Sequence, residues 1–261
     1  MKISFVVPTR NSARTLETCL GSLRGQTHPE VEVVVIDNRS TDGTAEIGRR
    51  LAHTFEQWGL GRSVQCNRGT ARSTGDVVVF VDPDMVLEPQ VAAEIAAAFT
   101  ADERLGALVI PERSFGEGFL ARCRELEKDL HRGDSAVLRA FRRTVIEELG
   151  GWTETLTATA DWDLTARARA AGVAVGRIHA WIWHDTGRVR LGAAFAQGRH
   201  RGRRRGPRPR AGRFVRTTLL QQPTRLLRHP VLTVGLATLQ LTEAGGQLLG
   251  VRDSRAGHGR R

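Results

Sequence analysis

Two aspartates one residue apart, Asp82 and Asp84, close a run of five apolar residues at 77–81. Paired hard oxygen donors suit Mg²⁺ or Mn²⁺, and through the metal a substrate diphosphate. Pro83 between them fixes its own φ and biases Asp82 toward an extended conformation, which stiffens the pair. The same three residues would also serve simply as a turn that closes a strand. Two more polar clusters end apolar runs: Pro8-Thr9-Arg10-Asn11 after ISFVV, and Asp37-Asn38 after VEVVVI. Ligands of open α/β sheets bind outside the carboxyl ends of the strands, so three such tips on neighbouring strands would converge on one crevice. Neither GxGxxG after the first strand nor GxxxxGK[ST] anywhere occurs, which argues against a dinucleotide fold and a P-loop. What remains is a nucleotide held by carboxylates and a metal.

The elements that must position these tips follow from periodicity. Residues 3–8, 31–36 and 77–81 read as buried strands. Leu16, Leu20 and Leu23, at spacings of four and three, predict a helix capped by Asn11 or Ser12 and ending near Gly25. The turn-rich NRSTDG at 38–43 opens a helix that runs to about Ala52. Residues 63–65 read as a short strand, 67–75 as a glycine-bounded segment, 90–100 as an alanine-rich helix and 108–110 as another strand. This alternation predicts an α/β fold with a mostly parallel sheet flanked by helices.

Charge divides the chain. Residues 1–185 carry 22 Lys+Arg against 26 Asp+Glu, a net of −4. Residues 186–261 carry 17 arginines against Glu243 and Asp253, a net of +15, so this tail could attract an anionic lipid surface, nucleic acid or a phosphorylated substrate. The run RHRGRRRGPRPRAGR at 199–213 has Gly and Pro to break a helix. The apolar segment after Pro230 is interrupted by Gln240, Thr242, Glu243 and Gln247, which suits an amphipathic helix at a membrane surface, or one packed on the body, better than a spanning one. Cys19, Cys66 and Cys123 show no CxxC spacing, so neither a disulfide framework nor a zinc site is expected. The apolar run before Pro8 and Arg10 is too short for a signal peptide. The expected location is the cytoplasm, peripheral at the inner face of the cell membrane.

The runs VVPTRNSARTLETCLGSLRGQ, VVVIDNRSTDGT and NRGTARSTGDVVVFVDPDMVLEP, followed by GGWTETL, ADWDLTARARAAG and IWHD, resemble family 2 glycosyltransferases of the GT-A fold over roughly residues 1–190. The resemblance implies a catalytic domain at 1–190, with a nucleotide-binding half at about 1–111 and an acceptor half at about 112–190. A basic helical extension would follow at 191–261. It implies that Pro8, Thr9, Arg10, Asp37, Asn67 and Asp82 contact a nucleotide-sugar donor, that Asp84 and His184 hold Mg²⁺ or Mn²⁺, and that Asp161 is the general base of an inverting transfer. The acceptor is left open among a glycan, a lipid-linked group and a small molecule. Two departures stand out: Cys66 replaces the family's arginine, and Ala160 its glutamate. Asp161 and Asp163 lie two apart and cannot share a helix face, so Asp163 is expected to be structural. Glu112, Arg113 and Trp162 are acceptor-side candidates, set against a solvated loop for the first two and core packing for the third.

Two other classes compete. A sugar nucleotidyltransferase would also use paired aspartates, but PTRNSA lacks the glycine-rich, lysine-containing loop it needs. A non-catalytic RNA-binding protein would explain the arginines, but aromatics make up only 5% of the chain with no Tyr, so nucleic acid is disfavoured.

Overall fold

The computed structural model describes residues 1–130, 137–156, 159–205 and 226–258. The first half alternates β1 (Ile3–Thr9), α1 (Ala13–Arg24), β2 (Val31–Asp37), α2 (Thr44–Leu51), β3 (Thr54–Gln57), α3 (Arg62–Arg72), β4 (Val77–Phe80), β5 (Met85–Leu87), α4 (Val91–Ala101) and β6 (Leu105–Val109). Then come β7 (Glu112–Glu117), α5 (Phe119–Leu130), β8 (Leu138–Arg142), α6 (Arg143–Glu148), α7 (Ala160–Ala170), β9 (Ala174–Arg177), β10 (Ile182–Arg188), α8 (Leu191–Arg205) and α9 (Pro230–His258).

Seven strands form one sheet in the order β3-β2-β1-β4-β8-β6-β9. All neighbouring pairs are parallel except those made by β8, which runs antiparallel to both β4 and β6. The expected strands β1, β2 and β4 are therefore adjacent, and their three polar tips emerge at one edge. Both faces are covered. Leu16, Leu20 and Leu23 of α1 pack with Val33, Val79 and Phe99 on one side; Val6, Phe80, Phe141, Trp152 and Leu164 pack on the other. Each such apolar side chain contributes roughly 1.5–3 kcal/mol of burial.

In the first half one segment differs from the sequence reading. Residues 63–65 lie inside helix α3, and the strand of this region is the earlier Thr54–Gln57. Tertiary contacts decide this. Gly69 of α3 rests on Val6 so closely that a Cβ there would lie 2.2 Å from Val6 Cγ1. On β3, Glu56 accepts hydrogen bonds from Arg68 and Arg72 of α3 at 2.7 Å each.

The chain divides into two compact units, 1–112 with 135–185, and 113–134 with 186–261. Residues 113–130 fall in the second unit, together with the C-terminal segment. In this second unit Cys123 and Leu126 of α5 and Ala194 of α8 pack with Leu236 and Leu239 of α9. The reason is visible in the polar core as well, where Arg124 of α5 pairs with Glu243 of α9 and, at 2.7 Å, with Glu127. Helix α8 continues through Arg205, so its glycines do not break it as the sequence suggested. Gly198 and Gly202, four apart on one face, let the backbone of α9 approach: a Cβ at either would lie 2.2 or 2.1 Å from the Glu243 or Gln247 carbonyl oxygen. That contact offsets the roughly 1 kcal/mol that each helical glycine costs. The part of the basic run at 206–213 lies outside the described residues.

The two arginines hold the Glu56 carboxyl at about 2, against an ordinary 4.5. A group whose folded pKa is depressed stabilises above its unfolded pKa and loses that contribution as pH falls through the folded one. Glu56→Gln should therefore lower stability at neutral pH, and urea unfolding should show the deficit shrinking between pH 4.5 and 2.

Candidate active site

An open cleft of about 420 Å³ lies at the strand tips, lined by Pro8, Thr9, Arg10 and Ser12 after β1, Asn38 after β2, Gly61, Arg62 and Gln65 of the α3 region, Asp82, Pro83 and Asp84 after β4, and His184 of β10. The three sequence-predicted clusters do converge here. Their loops are fastened to each other: the Asn11 amide donates to Ser40 Oγ at 2.8 Å, and Asn11 Oδ1 accepts from the Thr41 amide at 2.9 Å. Asn11 pays for this with a left-handed φ of 49°, a conformation Asn tolerates better than most residues.

Asp37 is present but fully buried. Its carboxylate accepts from Thr9 Oγ1 at 3.0 Å, the Ser40 amide at 2.9 Å and Gln57 Nε2 at 3.0 Å. It ties the ends of β1, β2 and β3 together, while its neighbour Asn38 is the β2-tip residue that lines the cleft. Asn67 is likewise not among the lining residues. Its Nδ2 donates to the Trp152 carbonyl at 2.9 Å, and its Oδ1 accepts from the Trp152 amide at 2.8 Å. Gly151, at φ +70°, makes room for this; a Cβ there would meet Asn67 Oδ1 at 2.6 Å. Asn67 thus fixes the loop that carries Trp152.

Asp82 sits between two arginines. Arg62 Nε donates to Asp82 Oδ1 at 2.8 Å, and Arg139 Nη1 lies 3.5 Å from Asp82 Oδ2. Burial opposes ionisation of Asp82, but the two guanidinium groups outweigh it and hold the carboxyl well below the usual range. Arg62 rests over the Trp152 ring at 4.8 Å, and its Nη2 reaches Asp161 Oδ1 at 3.0 Å. Arg139 also pairs with Glu112, which takes Glu112 out of a freely solvated loop. Arg113 belongs to the second unit.

Asp84 and His184 meet because β5 pairs antiparallel with β10, setting Met85 opposite His184. His184 Nε2 is 3.1 Å from Asp84 Oδ2. The other carboxylate oxygen, Asp84 Oδ1, is buried without a hydrogen-bond partner, and so is Arg62 Nη1. A buried acceptor beside a histidine is what a cation site leaves when only its protein ligands are counted. Among the described residues no group of three or more His, Cys, Asp or Glu side chains could hold a metal alone, so the fit requires oxygens from a ligand or water as well.

Asp161 lies in the first turn of α7 rather than at its cap, which is Thr159. Asp163 accepts from Thr153 Oγ1 at 2.8 Å and Arg167 Nε at 2.9 Å, the structural role expected of it. Trp162 is 47% exposed, so the core-packing alternative does not hold for it. Sequence reasoning missed Arg62, Arg139 and Trp152. Arg62 and Cys66 stand four apart on α3, one turn along the same face, so the arginine lacking at 66 has a counterpart at 62; burial meanwhile pushes the Cys66 thiol up to about 12. Once α3 is known to be a helix, that spacing is the signal.

The family model for glycosyl transferase family 2 matches residues 4–150. The mannosyltransferase PcManGT from Pyrobaculum calidifontis, solved with GDP-Man and Mn²⁺, superposes with a TM-score of 0.59 at 23% identity over 100% of this chain and 76% of that one. The S. aureus protein TarS, residues 1–349, gives a TM-score of 0.58 at 18% identity over 98% and 92%. The fold is thus of the GT-A type. In sequence, the chain is 31% identical over 115 residues to an uncharacterized glycosyltransferase of Nostoc sp., covering 41% of this chain and 36% of that protein. It is 25% identical over 199 residues to the probable glycosyltransferase YdaM of Bacillus subtilis, covering 66% and 47%. The chain therefore belongs to glycosyltransferase family 2, although it spans less than half the length of these curated relatives.

Asp82→Ala should lower stability by on the order of 2–3 kcal/mol, because it leaves two largely buried guanidinium groups without their shared carboxylate. Asp84→Ala should leave stability unchanged or raise it, since it removes an unmet buried oxygen. Urea unfolding of both variants checks the contrast.

Proposed function

We propose that the chain transfers a sugar, with inversion, from a metal-bound nucleoside diphosphate donor to an acceptor nucleophile. The observation that carries this is the pair of unmet buried groups at one cleft, an acceptor on Asp84 and a donor on Arg62. A diphosphate with its cation supplies one partner to each. Asp84 and His184 would hold the cation, which when bound would offset the charge of the leaving diphosphate.

The remaining work falls to this chain's residues. Pro8, Thr9, Arg10 and Asn38 line the portion of the cleft formed by β1 and β2, which we assign to the nucleoside. Asp82, fixed by Arg62 and Arg139, faces the donor as a rigid hydrogen-bond acceptor suited to ribose or sugar hydroxyls. Asp161 takes the acceptor's proton while the acceptor oxygen bonds to the anomeric carbon and the carbon–diphosphate bond breaks. Arg62, which cannot give up its proton, links that base to Asp82 and sets its distance from the donor. We assign a UDP-linked donor; TarS has been solved with UDP-GlcNAc and a mycobacterial glucosyl-3-phosphoglycerate synthase with UDP-glucose and Mn²⁺. The GDP-Man complex of PcManGT makes guanosine donors the second arm of the test.

The test is release of nucleoside diphosphate from UDP- and GDP-sugars, followed with candidate acceptors and Mn²⁺. Asp161→Asn should retain donor binding in a competition assay and lose at least about 100-fold in turnover. Asp84→Asn should lose donor binding itself. Full turnover by the Asp161 variant would refute the base assignment.

A further inference from the structure

Helix α9 has two faces with opposite surroundings. One carries Leu236, Leu239 and Glu243 and is buried against α5 and α8. The other carries Val231, Val234, Leu241 and Leu248, which are 68, 68, 69 and 64% exposed. Thr238 and Gly245 fill the gaps, so the positions 231, 234, 238, 241, 245 and 248 alternate spacings of three and four and form one straight stripe. At 1.5 Å per residue it runs for roughly 25 Å. Leu227, just before the helix, is 77% exposed as well. No helix among the described residues is long and apolar enough to cross a membrane.

Charge decides what covers the stripe. Residues 186–261 carry 17 arginines and two acids. Both acids are engaged inside the unit, Glu243 with Arg124 and Asp253 with Arg199 at 2.7 Å. Arg188, Arg190, Arg228 and Arg252 are exposed, with no acidic partner among the described residues. Residues 113–134 of the same unit add five acids and five basic residues and leave its net charge at +15, so a second copy docked on this stripe would bring two strongly cationic units together. RNA would answer the arginines but leave the valines and leucines in water. An anionic bilayer answers both, burying apolar side chains at the acyl boundary and pairing arginines with headgroups.

We infer that α9 lies flat on an anionic membrane surface, with Val231, Val234, Leu241 and Leu248 inserted and the flanking arginines on the headgroups. The inference is independent of the catalytic assignment, since it uses no residue of the cleft. The test is flotation of the full chain, without nucleotide, on phosphatidylcholine vesicles with and without about a third phosphatidylglycerol. The wild type should float only with the anionic vesicles, and less at high salt. The combined variant Val234→Ser, Leu241→Ser, Leu248→Ser should bind at least about tenfold less while keeping its thermal melt, because all three side chains are exposed. Arg228→Gln with Arg252→Gln should lose binding several-fold on the anionic vesicles. Equal flotation on neutral vesicles, undiminished flotation of the serine variant, or a dimer that the serine variant abolishes would overturn the inference.

Discussion

Asp82 between Arg62 and Arg139 is the interaction on which the cleft depends. Each arginine comes from a different element, Arg62 from the start of α3 and Arg139 from β8, while Asp82 follows β4 by two residues. Taking three charges out of bulk water costs several kcal/mol per ion, recovered only when all three are present in good geometry. The cluster therefore cannot relax piecemeal. It fixes the strand tip that carries Asp84, the floor on which Trp152 packs against Phe80 at 4.9 Å, and through Arg62 the position of Asp161.

This explains how the proposed binding surface and the proposed base stay in register although Asp84 and Asp161 are 77 positions apart. The sheet supplies the coarse placement, with three parallel strands delivering their tips to one edge. Hydrogen bonds between the loops after β1 and β2 supply the fine placement. Among the described residues that line the cleft, Asp84 and Arg62 keep buried polar atoms unmet, as does Trp152 Nε1 in the ring under Arg62. Unmet groups beside a rigid surround suit a site built for a ligand of defined charge.

Much of this was legible in the chain. Apolar runs ending in Pro8-Thr9-Arg10, Asp37-Asn38 and Asp82-Pro83-Asp84 announce buried parallel strands with polar tips, because such strands have no alternation and stop where polar groups begin. The roles of Asp37 and Asn67 were less legible. Both lie near the cleft in sequence, but whether a side chain faces a ligand or its own backbone depends on partners at 20 and 85 residues' distance, Gln57 and Trp152. Residues 63–65 were misassigned as strand because packing of Gly69 on Val6, invisible to local pattern, makes a helix of the segment. That error hid Arg62. The glycines of α8 misled for the same reason, since only a neighbouring backbone shows why small residues are helical there.

The central claim is that this cleft binds a nucleoside diphosphate through a metal on Asp84 and His184 and through the guanidinium of Arg62. Calorimetric titration of UDP into the full chain, with Mn²⁺ and again with EDTA, for the wild type and Arg62→Gln, tests it most directly. The account predicts binding that requires Mn²⁺ and that weakens by roughly 10- to 100-fold in Arg62→Gln. Equal affinity in EDTA, or affinity untouched by the Arg62 substitution, would contradict it.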